Sequence, residues 1–220
     1  MPPTIVTATA LLFSMDRQPI IAVQFDISPQ WHIYWQNPGD SGLPTTLSTT
    51  NGPLETHYPV PSVFTAPGDI TTYGYANTAT LFSPEAHRDV QEQSIQVSWL
   101  ACKKTHCIPG EAEVFVQKPS RSQKKELQHL FEDLPQRWPA SVEVQRTDSK
   151  VSLHWPTTWN VSAVEVFPDS AVGLVLTSTE TTQHSQSTTT SLRFSAVPAS
   201  GTAIVNVITE TDTKAYRLSL

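Results

Sequence analysis

The sequence predicts an all-β protein of two β-sandwich lobes joined by a short helix. Three observations carry this. Apolar residues recur at every second position through most of the 220 residues, clusters of turn formers separate these runs, and one segment alone changes to a helical period. Composition agrees: only 15% of residues are charged and 18 are proline, against roughly 25% and ~5% in an average soluble domain. Thr and Ser fill much of the missing polar share.

Residues 5–13 alternate Thr with apolar side chains. Next, Ile21, Val23, Phe25 and Ile27 point one way while Ala22, Gln24 and Asp26 point the other, the period of a strand. Ile95, Val97 and Trp99 repeat the pattern, as do Ala112, Val114 and Val116. Between these runs lie turn clusters at residues 37–42, 51–53 and 66–69, each rich in Gly, Pro, Asn or Asp. In residues 120–134 the rhythm breaks: Leu127, Leu130, Phe131 and Leu134 fall at i, i+3, i+4 and i+7, one face of a helix. Ser120 and Gln123 have the spacing of a capping box, and Pro135 stops the helix. Its basic start, with Lys118, Arg121, Lys124 and Lys125, reads as a solvated face. Period two then resumes at Val142 and Val144 and continues through Val151, Leu153 and Trp155. Further strands are expected at residues 172–176, 192–194, 204–208 and 215–218, with the polar run at residues 181–190 as a long hairpin loop. The resulting division is a first domain at 1–118, a helical connector at 119–138 packed between the lobes, and a second sandwich at 139–220. In that second lobe His154 and Trp155 read as packing, and the sequon at Asn160 is of a kind common by chance.

Several function classes fall away at this stage. A net charge of −6 lacks the basic footprint of a nucleic-acid binder. No apolar run approaches the roughly 18 residues of a membrane span, and Met1-Pro2-Pro3 lacks the basic start of a signal peptide.

The chemistry is concentrated around the chain's two cysteines, Cys102 and Cys107. A strand runs into the first, and Ile108-Pro109-Gly110 leads into the next strand, so both thiols belong at the loop end of a hairpin. Three readings compete. As a staple the pair is weak: a loop of about six residues yields roughly 2.2 kcal/mol of chain entropy, against about 4.7 for a 100-residue loop. As a metal site it has acceptable spacing, with His106 or His32 as a third ligand, but no second Cys or His pair completes four. As an exchange centre it has a reachable short loop and a suitable charge environment. Arg17, Arg88, Lys103 and Lys104 are the cations of residues 1–117, so half of them lie between the thiols, where they favour a thiolate. His106, beside Cys107, is placed to add to this or to pass a proton.

A second dense segment is WHIYWQNPGDSGLP, residues 31–44. In a strand, Trp31, Ile33 and Trp35 share the core face while His32 and Tyr34 line something polar. A third is Thr71-Thr72-Tyr73-Gly74-Tyr75, whose glycine permits a bend between aromatics lying over a site.

Together WHIYWQNPGDSGLP, the TYGY segment and WLACKKTHCIPGEA resemble the N-terminal periplasmic domain of the DsbD family of membrane thiol:disulfide interchange reductases, most nearly its ScsB-like, copper-sensitivity-suppressor variant. The motifs lie in matching order over residues of about 31–112. The resemblance implies an immunoglobulin-like sandwich exported to the periplasm as part of an inner-membrane protein whose membrane segments follow Leu220. It implies a protein-disulfide reductase with no bound cofactor and no metal, because a Cys102–Cys107 disulfide carries the electrons. These come from the rest of the same membrane protein and go to thioredoxin-like partners, in disulfide repair, cytochrome maturation or copper tolerance. By the same resemblance Cys107 enters the mixed disulfide and Cys102 resolves it. His32 and Tyr34 flank the pair, and the turn over residues 69–73, with Asp69, caps it. The family's best-known members place a Phe just before the Tyr-Gly of that cap. Here the position is Thr72, so the covering falls to Tyr73 or Tyr75. The alternatives are a non-enzymatic extracellular binding module with an inert disulfide, and a Cys/His carrier of copper or zinc.

Overall fold

A computed structural model describes residues 4–84, 94–104, 106–147, 149–169, 176–184, 187–194 and 201–220. It divides into two compact units, Met1–Leu134 and Pro135–Leu220.

The first unit contains β1 (Val6–Met15), β2 (Gln18–Ile27), β3 (His32–Gly39), β4 (Thr46–Thr49), β5 (Gly52–Pro53), β6 (Ser62–Ala66), β7 (Ile70–Ala76), β8 (Thr78–Ser83), β9 (Ser94–Lys103), β10 (His106–Gln117) and α1 (Arg121–Glu132). Hydrogen bonding links them in the order β6-β7-β3-β9-β10-β1-β2-β8, with β4 paired to β9 and β5 to β4. β10 joins two layers. Along most of its length it pairs antiparallel with β9, and at Val116 and Gln117 it pairs parallel with β1. Edge-to-face contact of Phe25 with Trp99, centroids 6.0 Å apart, links β2 to β9 across the interior. Ile21, Val23 and Phe25 of β2, Ile33 and Trp35 of β3, and Ile95 and Val97 of β9 are all buried, as their period-two spacing requires.

The helix forms where its periodicity places it. Ser120 caps it: the side-chain oxygen accepts from the Gln123 N–H while Gln123 Oε1 accepts from the Ser120 N–H. Its apolar face is packed on the first unit. Leu127 is fully buried, and with Leu134 and Phe131 it meets Leu11, Phe13, Ile20, Ala22 and Phe82. Phe13, Phe82 and Phe131 form a triad of edge-to-face contacts. This explains why Ala22, on the side of β2 opposite Ile21, is also buried: β2 is covered on both faces.

The second unit contains β11 (Gln136–Arg137), β12 (Glu143–Arg146), β13 (Lys150–Trp155), β14 (Val161–Pro168), β15 (Leu176–His184), β16 (Ser187–Phe194), β17 (Thr202–Thr209) and β18 (Thr213–Ser219). They form two four-stranded sheets, β11-β18-β17-β14 and β12-β13-β16-β15. Val151, Leu153, Trp155, Leu192 and Phe194 of one sheet meet Val164, Val166, Val205, Val207, Tyr216 and Leu218 of the other in a common core. Trp155 is buried there, its indole N–H donating to Thr190 Oγ1 at 2.9 Å, while His154 lies opposite Thr189.

One expectation is corrected here. In the polar run at 181–190 the described residues, 181–184 and 187–190, form no long loop; they belong to the paired strands β15 and β16, with Thr181 opposite Thr190 and Gln183 opposite Thr188. Thr is β-branched and suits a pleated surface, and Thr188 and Thr190 turn inward and are buried. Of the strand expected at 172–176, only Leu176 falls within the described residues, where it opens β15.

Candidate redox site

Strands β9 and β10 meet in a tight hairpin closed by the pair Lys103 and His106. Lys104 sits in the turn with φ of 55°. The next rung of the ladder is Cys102 opposite Cys107, and the two are joined by a disulfide with Cα atoms 4.1 Å apart. The sulfurs differ sharply in access, for Cys102 is 1% exposed while Cys107 is open to solvent. The difference follows from position. Cys102 lies in an inner strand between β3 and β10, whereas Cys107 lies on β10, which among the described residues has no ladder partner on its other side until Val116. Down that strand, Pro109 stands opposite Leu100, Glu111 opposite Ser98 and Glu113 opposite Gln96, on the same side as Cys107.

Cys102 points away from the sandwich core, since its neighbours Ala101 and Val97 face inward. Its burial therefore needs a cover. Strand β3 supplies the first part. His32 stands directly opposite Cys102, and Tyr34, two residues on, shares its face. The Tyr34 hydroxyl donates to Cys102 Sγ at 3.1 Å. Burial raises the Tyr34 pKa, so the phenol keeps its proton at neutral pH. The loop after β3 then covers Tyr34. Gly42, with φ of 119°, packs its backbone onto the tyrosine ring so closely that a Cβ there would overlap the ring carbons. Asp40 pins this loop to β7, its carboxylate accepting from the Thr71 N–H at 2.8 Å and its own N–H donating to the Thr71 carbonyl at 2.9 Å.

The hairpin of β6 and β7 supplies the second part of the cover. Its turn passes through Gly68 and Asp69 with φ of 90° and 58°. Phe64 on β6 stands opposite Thr72 on β7. The Phe64 ring stacks on His32, with centroids 4.5 Å apart and planes 13° from parallel. His32 also meets the edge of Tyr34 at 5.2 Å. Burial lowers the His32 pKa, which favours the neutral ring.

The sequence-derived residues thus separate into two groups. Cys102, Cys107, His32 and Tyr34 are assembled on one face, with Thr72 contributing through the rung it shares with Phe64. Tyr73 and Tyr75 occupy the other face of β7. Tyr75 stands opposite the buried Ile33 and donates its hydroxyl to the Pro59 carbonyl at 2.8 Å. Tyr73 packs edge-on against Trp35. The expectation that either covers the pair is therefore corrected: the aromatic that the neighbouring strand brings to this face is Phe64, which stacks on His32. Lys103 and His106 alternate with the cysteines and so project to the opposite side of the hairpin, where His106 meets Trp31 at 6.0 Å. Proton transfer from His106 to Cys107 is not supported by that placement. Lys104 is exposed in the turn, and Asp69 is exposed at the tip of the capping hairpin. Phe64 was legible only through register: counting back from the turn, Ala66 opposes Ile70 and Phe64 opposes Thr72.

Among the described residues no three His, Cys, Asp or Glu side chains come together, and His32 and His106 fall on opposite sides of the sheet.

The comparisons with known proteins meet this geometry directly. The family model described as thiol:disulfide interchange protein DsbD, N-terminal, matches residues 4–119, which contain the disulfide and its whole cover. The chain belongs to the DsbD N-terminal family. Members of this family are thiol:disulfide interchange domains with an immunoglobulin-like β-sandwich. The fold extends beyond the matched region: the crystal structure of the N-terminal periplasmic domain of ScsB from Proteus mirabilis aligns over 98% of this chain and 92% of that one, with a TM-score of 0.69 at 16% identity. A chimeric titin Z1Z2 also aligns over 100% of this chain and 97% of that one at 13% identity, with a TM-score of 0.24. No curated protein matches the chain. Among the described residues no helix is long and apolar enough to cross a membrane.

The Tyr34 hydroxyl yields a prediction of its own. A hydrogen bond to sulfur is worth more once the sulfur carries charge, so Tyr34→Phe is expected to make the pair harder to reduce in alkaline buffer, where reduced Cys102 is a thiolate. Each ~1.4 kcal/mol lost corresponds to about 30 mV for a two-electron couple. Equilibration of wild type and variant in graded thiol buffers measures the shift, and an unchanged or higher potential in the variant contradicts the role.

Proposed function

We propose that this chain passes electrons, as a dithiol, to thioredoxin-like proteins in the periplasm, receiving them from the remainder of a larger membrane protein. The observation that carries the reading is the asymmetry of the disulfide. One sulfur is exposed on an open strand, and the other is buried under Tyr34, with the Phe64-stacked His32 opposite it. An exchange centre needs such a division, with one sulfur that a partner can reach and one held back to finish the reaction. In this reading Cys107 forms the mixed disulfide and Cys102 resolves it, with no cofactor. Family membership supports the chemistry, and the fold shared with the ScsB domain supports the compartment.

The test is the reduction potential of the Cys102–Cys107 pair, found by counting alkylatable thiols after equilibration in graded thiol/disulfide buffers. An exchange centre is expected above about −300 mV, where labile disulfides lie. A value far below that line leaves an inert disulfide in a binding module.

A further inference from the structure

Exchange through Cys107 and Cys102 leaves His32 without a task, yet its setting is specific. Its Nε2 is buried and has no hydrogen-bond partner among the described residues. The ring stands on the rung opposite Cys102, on the same face. Around it this face presents Tyr34 from β3, Cys102 from β9, Ala76 from β7 and the stacked Phe64 from β6. Of these, Tyr34 and, once reduced, Cys102 are titratable; Tyr34 keeps its proton at neutral pH, and Cys102 in the disulfide carries no charge. Tyr34 donates its proton to Cys102 Sγ and is no base at neutral pH. Cys102 is 1% exposed, so bulk water has little access to its thiol proton. The uncharged imidazole opposite has a free lone pair.

We propose that His32 is the acid–base group of Cys102. It takes the thiol proton as Cys102 attacks the mixed disulfide and returns it when Cys102 departs in the reverse step. Phe64, stacked on the ring, keeps water from competing for that proton. This rests on the exchange reading above. Each step balances. The Cys107 thiolate attacks a disulfide, forming one S–S bond and releasing one thiolate. The Cys102 proton passes to His32, and the Cys102 thiolate attacks Cys107 Sγ and expels the second thiolate. The protein loses two electrons to the reagent, and the imidazolium gives its proton to the departing thiolate or to solvent.

Rapid mixing of the reduced protein with the aromatic disulfide dithionitrobenzoate separates the two steps, because each releases one equivalent of coloured thiolate. His32→Gln is expected to leave the first release within about twofold of wild type. The second is expected to slow at least about tenfold at pH 7, a floor set below the roughly 10²–10⁴-fold typical of general-base effects. The gap narrows as the pH rises, because hydroxide then takes the thiol proton without His32. In the wild type the second release is expected to stay nearly level between about pH 7 and 8.5, because the base is already neutral there. This measurement needs no variant. A wild-type second step that falls tenfold per pH unit through that range overturns the proposal. So does a His32→Gln second step equal to wild type, or one slowed equally at every pH, which marks a structural role only. If the first thiolate appears and Cys102 never closes the disulfide, the exchange reading itself fails and His32's part falls with it.

Discussion

Cys107→Ser is expected to abolish disulfide exchange, with residual reduction of a protein disulfide at the level of buffer alone. Cys102→Ser is expected to keep the first half of the reaction and accumulate a covalent complex that reductant releases. The reason is the division of the two sulfurs between an open strand and a covered one. A partner disulfide can be attacked only by a sulfur it can approach, and Cys107 is that sulfur. Once the mixed disulfide has formed, the opposing position of Cys102 on the same rung supplies the resolving thiol at very high effective concentration. Removing it leaves the complex nothing intramolecular to break it. Non-reducing electrophoresis after incubation with an oxidised thioredoxin-like protein distinguishes the cases. Trapped complex in Cys107→Ser but not in Cys102→Ser would exchange the two roles, and efficient turnover by Cys107→Ser would remove the mechanism.

The second large effect concerns the floor beneath the site. Trp35→Ala is expected to destabilise the first unit by about 3–5 kcal/mol, the usual cost of emptying a buried tryptophan's space. That is a large share of the 5–15 kcal/mol on which a domain stands. Trp35 is fully buried one residue after Tyr34 and packs against Tyr73 of the capping hairpin. The cavity would therefore open under both supports of the cover at once. The midpoint of urea unfolding, followed by tryptophan fluorescence, measures it. A shift worth less than about 1 kcal/mol would mean that neighbouring side chains collapse into the space.

Much of this was legible in the chain itself, and what was not has a common cause. Alternation along a strand states which side chains share a face, so the grouping of His32 with Tyr34 and the burial of Ile33 and Trp35 could be read directly. The capping box at Ser120 and the spacing of Leu127, Phe131 and Leu134 announced the helix. Position along the chain does not state what stands on the next strand. The stacking of Phe64 on His32 depends on a cross-strand rung, which sets Phe64 opposite Thr72 on the neighbouring strand. Tyr73 and Tyr75 flank Gly74 in the capping segment, yet they lie on the other face of β7: Tyr75 is buried opposite Ile33, and Tyr73 packs edge-on against Trp35. Lys103 and His106 are neighbours of the cysteines in sequence and lie across the sheet from them in space. The polar run at 181–190 was misread because its composition suggests a loop, whereas β-branching favours the strands that form.

Pro109 has a consequence for how the molecule behaves in a crowded compartment. The close approach of Cα atoms at the Cys102–Cys107 rung, 4.1 Å, marks a rung whose own amides turn away from the ladder. By the period of two, the backbone groups of residues 109, 111 and 113 turn outward as well. A strand of another chain seeking to extend the sheet there would meet a proline nitrogen with no hydrogen to give, then the carboxylates of Glu111 and Glu113. A strand left open so that a redox sulfur can be reached is thereby also a poor template for self-association.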